Sequence, residues 1–133
     1  MPGKRYLLDT NALIALLEGS RELVALTRSA DWLGVSVINV LEFLGFDGLT
    51  EQDRLLLDAF LLRVTVVDVA YNNSALMAQI AVIRQRKTLK LPDAIVMASA
   101  ALHDAIVISN DVQMQAAGSN VNPAAVVGFS IDR

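Results

Sequence analysis

Four acidic residues lie in short segments that are apolar or contain glycine or proline, where a negative charge is costly. They are Asp9 in Leu-Leu-Asp-Thr-Asn, Glu42 in Asn-Val-Leu-Glu-Phe, Asp93 in Leu-Pro-Asp-Ala-Ile and Asp111 in Ser-Asn-Asp. A carboxylate in apolar surroundings must find a partner or lose its charge. If the fold brings the four acids together, the simplest shared partner is a hard divalent cation, which in turn indicates phosphate chemistry.

The composition narrows the chemistry that the chain can perform. The chain has no cysteine and one histidine, which excludes thiolate metal sites, a cysteine nucleophile and any site that needs two imidazoles. The net charge of −3 argues against nucleic-acid binding through a broad basic surface. It does not exclude a nuclease with a local basic patch and a metal. The single histidine, His103, is interpreted as a structural residue at a helix end.

The chain is strongly apolar, because hydrophobic residues make up 54% of its 133 residues. The length predicts a single domain that comprises residues 1–133. The longest uncharged stretch, 112–131, contains glutamine, asparagine and proline, so we expect no membrane-spanning segment. An aspartate interrupts the first apolar run too early for a signal peptide, and a cytoplasmic location is expected. The surplus of apolar residues indicates a sheet buried on both faces, or a subunit interface.

Short β-rich runs alternate with helical patterns along the chain. The predicted strands are 6–8, 34–37, 64–69, 105–109 and 125–130. The predicted helices are 11–17, 21–29, 39–46, 50–62, 73–86, 91–102 and 112–117. Thr50 is the predicted N-cap of the fourth helix, and Asn73 or Ser74 that of the fifth. Most strands lack a two-residue hairpin turn to the next strand, which predicts parallel pairing with helices on both faces. The predicted fold class is therefore α/β, a three-layer α/β/α domain with a central, mainly parallel sheet.

Chain direction places two of the acids at one edge of such a sheet. Asp9 directly follows the first strand and Asp111 follows the fourth, and ligands bind beyond the carboxyl ends of parallel strands. A structural alternative stays open for both, because aspartate is a preferred helix N-cap. Asp93 would gain about 0.3–1 kcal/mol from the macrodipole of its helix, so a structural role is credible there too. Glu42 lies on an apolar helix, either on solvent or held inward for a function, and the second interpretation is favoured.

A cluster of basic residues precedes Asp93. Its members are Arg84, Arg86, Lys87 and Lys90. The structural interpretation is a solvated helix end whose positive charges pair with the helix dipole. The functional interpretation is a contact for a phosphate backbone that enters the acidic site. The sequence leaves both open.

The four acidic segments, in this order, resemble the PIN-domain nucleases, and within them the VapC-type toxins of type II toxin–antitoxin systems. The matching segments are Leu-Asp-Thr-Asn-Ala-Leu-Ile at 8–14, Asn-Val-Leu-Glu-Phe at 39–43, Leu-Pro-Asp-Ala-Ile-Val-Met-Ala at 91–98 and Ser-Asn-Asp at 109–111. The resemblance covers nearly the whole chain. Two departures concern its last segment: Ser109 stands where the family usually has Thr, and Gln113-Met114 where it often has Asp-Phe. Asp111 is therefore the weakest of the four matches.

The resemblance implies a Mg²⁺- or Mn²⁺-dependent endoribonuclease, a hydrolase that acts as the toxin of a toxin–antitoxin pair. It implies that the four acids surround the metal and are the catalytic residues. It further implies that Thr10 or Asn11, together with Ser109, orient these acids through hydrogen bonds. The implied partners are an RNA substrate, a second copy of the chain in a homodimer, and a cognate antitoxin that inserts a segment into the acidic site.

Other functions stay open beside this one. A catalytically silent PIN-like protein-binding module would share the fold, and a PIN nuclease in RNA processing would share the chemistry. A phosphoacceptor receiver domain is also α/β with strand-end aspartates and Mg²⁺. It is disfavoured because the first strand delivers only Asp9 and no strand-end lysine follows Ser109.

Overall fold

The structure is a computed structural model that describes residues 4–86, 89–120 and 125–130. Within these residues the strands are Arg5–Leu8 (β1), Trp32–Ser36 (β2), Thr65–Val67 (β3), Ile106–Ile108 (β4) and Val126–Val127 (β5). The helices are Thr10–Leu17 (α1), Arg21–Ser29 (α2), Val37–Leu44 (α3), Glu51–Leu61 (α4), Ser74–Gln85 (α5), Leu91–Leu102 (α6) and Val112–Asn120 (α7). Strands and helices alternate along most of the chain, as the sequence predicts.

The strands form one sheet in the order β3-β2-β1-β4-β5, and each neighbouring pair is parallel. In the register of the sheet, Leu8 lies between Val35 of β2 and Ile108 of β4. The chain runs outward from β1 to β3 on one side and then crosses to β4 and β5 on the other. The change of direction therefore lies between β1 and β4, which is where ligands bind in open parallel sheets.

Helices cover both faces of the sheet because successive side chains of a strand point to opposite sides. Leu7 and Val107 pack with residues of α5 and α6 in one buried cluster. Leu8 and Ile108 pack with residues of α1 and α2 on the opposite face. The three-layer α/β/α fold class is confirmed, and both faces of the sheet are buried. Among the described helices, none is long and apolar enough to cross a membrane.

Side-chain caps fix several helix starts. Thr50 caps α4 as predicted, in a reciprocal capping box with Asp53. Asn73 rather than Ser74 caps α5, through a hydrogen bond from Leu76 N to its side chain. The Ser36 hydroxyl accepts a hydrogen bond from Ile38 N, so α3 begins two residues before the prediction. The strands at 64–69 and 125–130 are overpredicted, because β3 and β5 are edge strands with one neighbour each.

Candidate active site: four carboxylates at the carboxyl edge of the sheet

An open pocket at the carboxyl edge of the sheet is lined by all four acids that the sequence singles out. Asp9 follows β1, Glu42 lies on α3, Asp93 lies in the first turn of α6, and Asp111 directly precedes α7. Part of the wall is apolar and comes from Ile14 and Phe46. Segments that are up to about a hundred residues apart thus meet at one pocket, while the catalytic role of the acids stays a prediction.

Asp9 is the most enclosed of the four acids, at 5% exposed. Its Oδ1 accepts a hydrogen bond of 3.0 Å from Thr10 N and caps α1, while its Oδ2 accepts one of 2.7 Å from Ser109 Oγ. The N-cap alternative is therefore correct for Asp9, and it coexists with a place in the pocket. Burial raises the pKa of Asp9, the bonds from Ser109 and Thr10 oppose this, and the charges of Glu42 and Asp111 add to the rise.

Asp93 occupies the first turn of α6, where the helix macrodipole favours a negative charge. Its pKa is nevertheless raised to about 6, first by burial and then by the charges of Asp9, Asp111 and Glu42, against an opposing effect of Lys90. Like charges raise a pKa in this way only when they share a poorly screened region. The pocket therefore carries mutual repulsion that a bound cation would relieve.

Asp111 is half-buried and serves as a cap for α7. Its Oδ1 accepts hydrogen bonds from Gln113 N at 2.8 Å and from Met114 N at 3.2 Å. The Ser109 hydroxyl accepts a bond of 3.0 Å from Asp111 N. The departure from the family pattern at Gln113 and Met114 leaves this cap intact, because the bonds use backbone N–H groups.

Glu42 is exposed to solvent, so the expectation that its side chain is held inward is wrong as far as burial is concerned. The carboxylate is nevertheless held in place. Its Oε1 accepts hydrogen bonds from Thr10 Oγ1 at 2.6 Å and from Asn39 Nδ2 at 3.2 Å. Glu42 is exposed because the pocket that it lines is open to water.

Of the residues expected to orient the acids, Thr10 and Ser109 contact an acid directly, whereas Asn11 contacts Ser109 and the backbone of Asn110. Thr10 donates to Glu42, and Ser109 donates to Asp9. Asn11 donates from Nδ2 to Ser109 Oγ at 3.2 Å, and its Oδ1 accepts from Asn110 N at 3.0 Å. The chain that leaves β1 is thus tied by side-chain hydrogen bonds to the chain that leaves β4.

Asn39 is the site residue to which the sequence patterns assign no role. It is 1% exposed and lies three residues before Glu42, hence on the same face of α3. Its amide nitrogen contacts Asp9, Thr10 and Glu42. In the sequence, the feature that indicates Asn39 is a polar residue three positions before Glu42 on an otherwise apolar helix.

The basic residues before Asp93 differ in their surroundings. Lys90 is the exposed N-cap residue of α6, and its charge lowers the pKa of Asp93. Arg84 donates from Nη1 to Leu89 O at 2.7 Å and so ties the end of α5 to the chain before α6. Arg86 is the exposed C-cap residue of α5, and Lys87 lies outside the described residues. Of the described members, Lys90 has the clearest electrostatic link to the acids.

The pocket presents carboxylate, hydroxyl and amide oxygens, which are the ligands of hard divalent cations such as Mg²⁺ and Mn²⁺. Across 4–86, 89–120 and 125–130, no three His, Cys, Asp or Glu side chains stand in an arrangement that could hold one ion. Mg²⁺ usually keeps several waters and takes only one or two carboxylates directly. The donor set therefore fits a hydrated divalent cation better than a fully enclosed one.

A protein-family model described as the PIN domain matches residues 6–119, a segment that contains all four acids. The chain belongs to the PIN domain family. PIN domains are generally nucleases. No curated protein matches the sequence.

Three solved structures illustrate what this PIN domain resembles. A toxin–antitoxin complex from Klebsiella pneumoniae matches with 29% identity and a TM-score of 0.64, over 80% of this chain and 86% of that one. VapBC2 from Rickettsia felis, bound to a promoter DNA fragment, matches with 16% identity and a TM-score of 0.73, over 95% and 99%. FitAcB from Neisseria gonorrhoeae matches with 24% identity and a TM-score of 0.66, over 95% and 97%. The matches to VapBC2 and FitAcB, at 16% and 24% identity, show similarity of fold alone.

Proposed function

We propose that this PIN domain is a Mg²⁺- or Mn²⁺-dependent endoribonuclease that acts in the cytoplasm. The observation that carries the proposal is the pocket of four acids, in which burial and the other three carboxylates raise the pKa of Asp93 to about 6. Mutually repelling carboxylates at the edge of a parallel sheet are suited to hold a divalent cation against a phosphate. The membership of the PIN family supports the same chemistry.

A divalent cation bound here would activate a water molecule and neutralise the charge that develops on a scissile phosphate. Asp9 and Asp93 are the best-placed acids to hold it. A hydrogen bond from Ser109 fixes Asp9, and a cation would relieve the repulsion from neighbouring acids that helps to raise the pKa of Asp93. Glu42 and Asp111 line the same pocket and would act directly or through water. Lys90 would contact the phosphate backbone beside the pocket.

RNA cleavage by the purified protein is expected to require Mn²⁺ or Mg²⁺ and to stop in EDTA. Asp9→Asn keeps the shape of the side chain and removes its charge, so we expect cleavage to fall by at least about 100-fold. Asp58→Asn makes the same change on the exposed surface of α4 and should cleave like the wild type. Cleavage that persists in EDTA, or that is undiminished in Asp9→Asn, would contradict the proposal. Mn²⁺ binding without cleavage would instead favour the catalytically silent binding module.

We further propose that the domain is the toxin of a toxin–antitoxin pair, as the complex from Klebsiella pneumoniae suggests. An apolar groove lies beside the acid pocket, and Ile14 and Phe46 line both. The other groove residues are apolar Leu17, Phe43, Leu49 and Leu56, acidic Glu18, Asp47 and Asp53, and Gly48. An antitoxin segment with an apolar face and a basic side chain would complement the groove and the pocket together.

Expression of the chain alone is expected to arrest growth, and co-expression of the product of a short neighbouring reading frame should restore it. Asp93→Asn should not arrest growth, because the arrest depends on cleavage. A chain that cleaves RNA in vitro but leaves growth unaffected would favour a PIN nuclease in RNA processing.

The exposed apolar side chains of α3 support a homodimer. Leu41 and Leu44 are 59% and 38% exposed and, three residues apart, share one face of the helix. A second copy of the chain would cover this face. Sedimentation that shows only monomer at high protein concentration would contradict the dimer.

A further inference from the structure

One neutral amide connects two of the four carboxylates. The Asn39 side-chain nitrogen lies 3.2 Å from Asp9 Oδ1 and 3.2 Å from Glu42 Oε1, with Thr10 Oγ1 at 2.8 Å. The Thr10 hydroxyl in turn donates to Glu42 Oε1 at 2.6 Å. Asn39 thus reaches Asp9 directly, and Glu42 both directly and through a hydroxyl.

The other end of the Asn39 amide has no such partner. Its Oδ1 is buried and accepts no hydrogen bond from any residue that the structure describes. An unpaired buried acceptor costs about 1–3 kcal/mol. The reversed amide would place Oδ1 against three oxygen atoms, two of them on carboxylates, so the nitrogen must face the pocket. A leucine of similar volume would fill the space without this cost, which argues against a role in packing alone.

We propose that Asn39 is a positioning residue of the acid pocket, whose amide holds Asp9 and Glu42 at a fixed separation for a divalent cation. This inference rests on the proposed metal-dependent function. The neutrality of the donor matters: an arginine or lysine could also bridge the two acids, but its charge would cancel the attraction that a cation needs. Residues that orient metal ligands typically change metal affinity by about 10- to 100-fold when they are replaced.

Calorimetric titration of the full chain with Mn²⁺, without RNA, tests the assignment independently of catalysis. Asn39→Leu is expected to weaken Mn²⁺ binding by about 10- to 100-fold. Asn73→Leu makes the same change at the N-cap of α5, and should lower the melting temperature without changing Mn²⁺ affinity. Thr10→Val removes the hydroxyl between Asn39 and Glu42 and should weaken binding by about 2- to 10-fold.

The outcomes separate this inference from the proposed function. A folded Asn39→Leu that binds Mn²⁺ as tightly as the wild type would overturn the role of Asn39 and leave the nuclease proposal standing. A wild-type chain that binds no Mn²⁺ would overturn both. If Asn39→Leu does not fold, Asn39→Ala decides, because it also removes the amide: unchanged Mn²⁺ affinity in that variant would refute the role of Asn39, and weakened affinity would support it.

Discussion

Asp93→Asn is expected to abolish metal-dependent RNA cleavage and, without metal, to raise the thermal stability of the protein at neutral pH. Activity should fall by at least about 100-fold, because the pocket loses a charge that would hold the cation. Stability should rise because the charged form of Asp93 is disfavoured by burial and by three neighbouring acids. Asparagine keeps the shape of the side chain and removes that repulsion.

The pH dependence of the stability gain follows from the direction of the pKa shift. Asp93 titrates at about 6 in the folded protein, against an ordinary value of 3.8 in the unfolded chain. Between these values the folded protein keeps a proton that the unfolded chain has lost, so the free energy of unfolding falls as the pH rises through this window. The penalty is complete above the folded pKa and absent below the unfolded one. The gain from Asp93→Asn should therefore shrink as the pH falls toward 3.8.

The expected gain at neutral pH is about 1 kcal/mol. The full pKa shift would correspond to about 3 kcal/mol, but Asp93 is only half-buried and solvent screens part of the repulsion. Thermal denaturation in EDTA at several pH values measures the stability gain of Asp93→Asn. Asp58→Asn is the control, and its stability relative to the wild type should not change with pH in this way. Added Mn²⁺ should stabilise the wild type more than the variant. A variant that melts below the wild type at neutral pH in EDTA would contradict the raised pKa.

The sequence predicts elements well where a local signal marks their ends. The bounds of α2 and α6 match the prediction, because Ser20 caps the first and Pro92 marks the start of the second. It predicts β3 and β5 too long, because β-branched runs do not reveal how many strand neighbours are available. The parallel sheet itself follows from the alternation of elements, which needs no side-chain detail.

Part of the candidate site can also be predicted from the order of the elements. Chain direction places Asp9 and Asp111 at the carboxyl edge, since any parallel sheet would place them there. The sequence presents capping and a place in the pocket as alternatives, whereas Asp9 does both, because its two carboxylate oxygens serve different neighbours. The hydrogen bonds that join Asn39 and Glu42 of α3 to Thr10 of α1 depend on how the two helices pack, and local sequence patterns do not reveal this packing.

At the opposite edge of the sheet, the only tryptophan of the chain lies over Gly34. A Cβ at position 34 would lie 2.3 Å from Trp32 Cη2, because residues two apart on a strand share a face. The indole also stacks on His103, with ring centroids 5.0 Å apart, and the Arg5 guanidinium lies 4.9 Å from the tryptophan ring. Arg5 Nε donates to His103 O at 2.8 Å. Trp32 thus joins the start of β2 to the end of α6.

Gly34→Ala is expected to destabilise the protein by about 1–3 kcal/mol, because the indole must leave its place over the strand. Its displacement also disrupts the stacking on His103 and the contact with Arg5. Fluorescence reports this directly, since Trp32 is the only tryptophan, and its emission should shift together with the melting temperature. Gly45→Ala is the matched control: its Cβ would meet nothing closer than 3.4 Å, so neither quantity should change much.

The same variant separates stability from chemistry. Trp32 and Arg5 begin their strands, whereas the pocket of the four acids lies where Asp9 and Asp111 follow β1 and β4, so the two clusters lie at opposite edges of the sheet. Burial and the charge of Arg5 lower the pKa of His103, which favours the neutral imidazole against the indole and agrees with a structural role. Below its melting transition, Gly34→Ala should therefore retain wild-type Mn²⁺ affinity and RNA cleavage. A loss of Mn²⁺ affinity in folded Gly34→Ala would mean that the tryptophan cluster helps to shape the acid pocket from across the sheet.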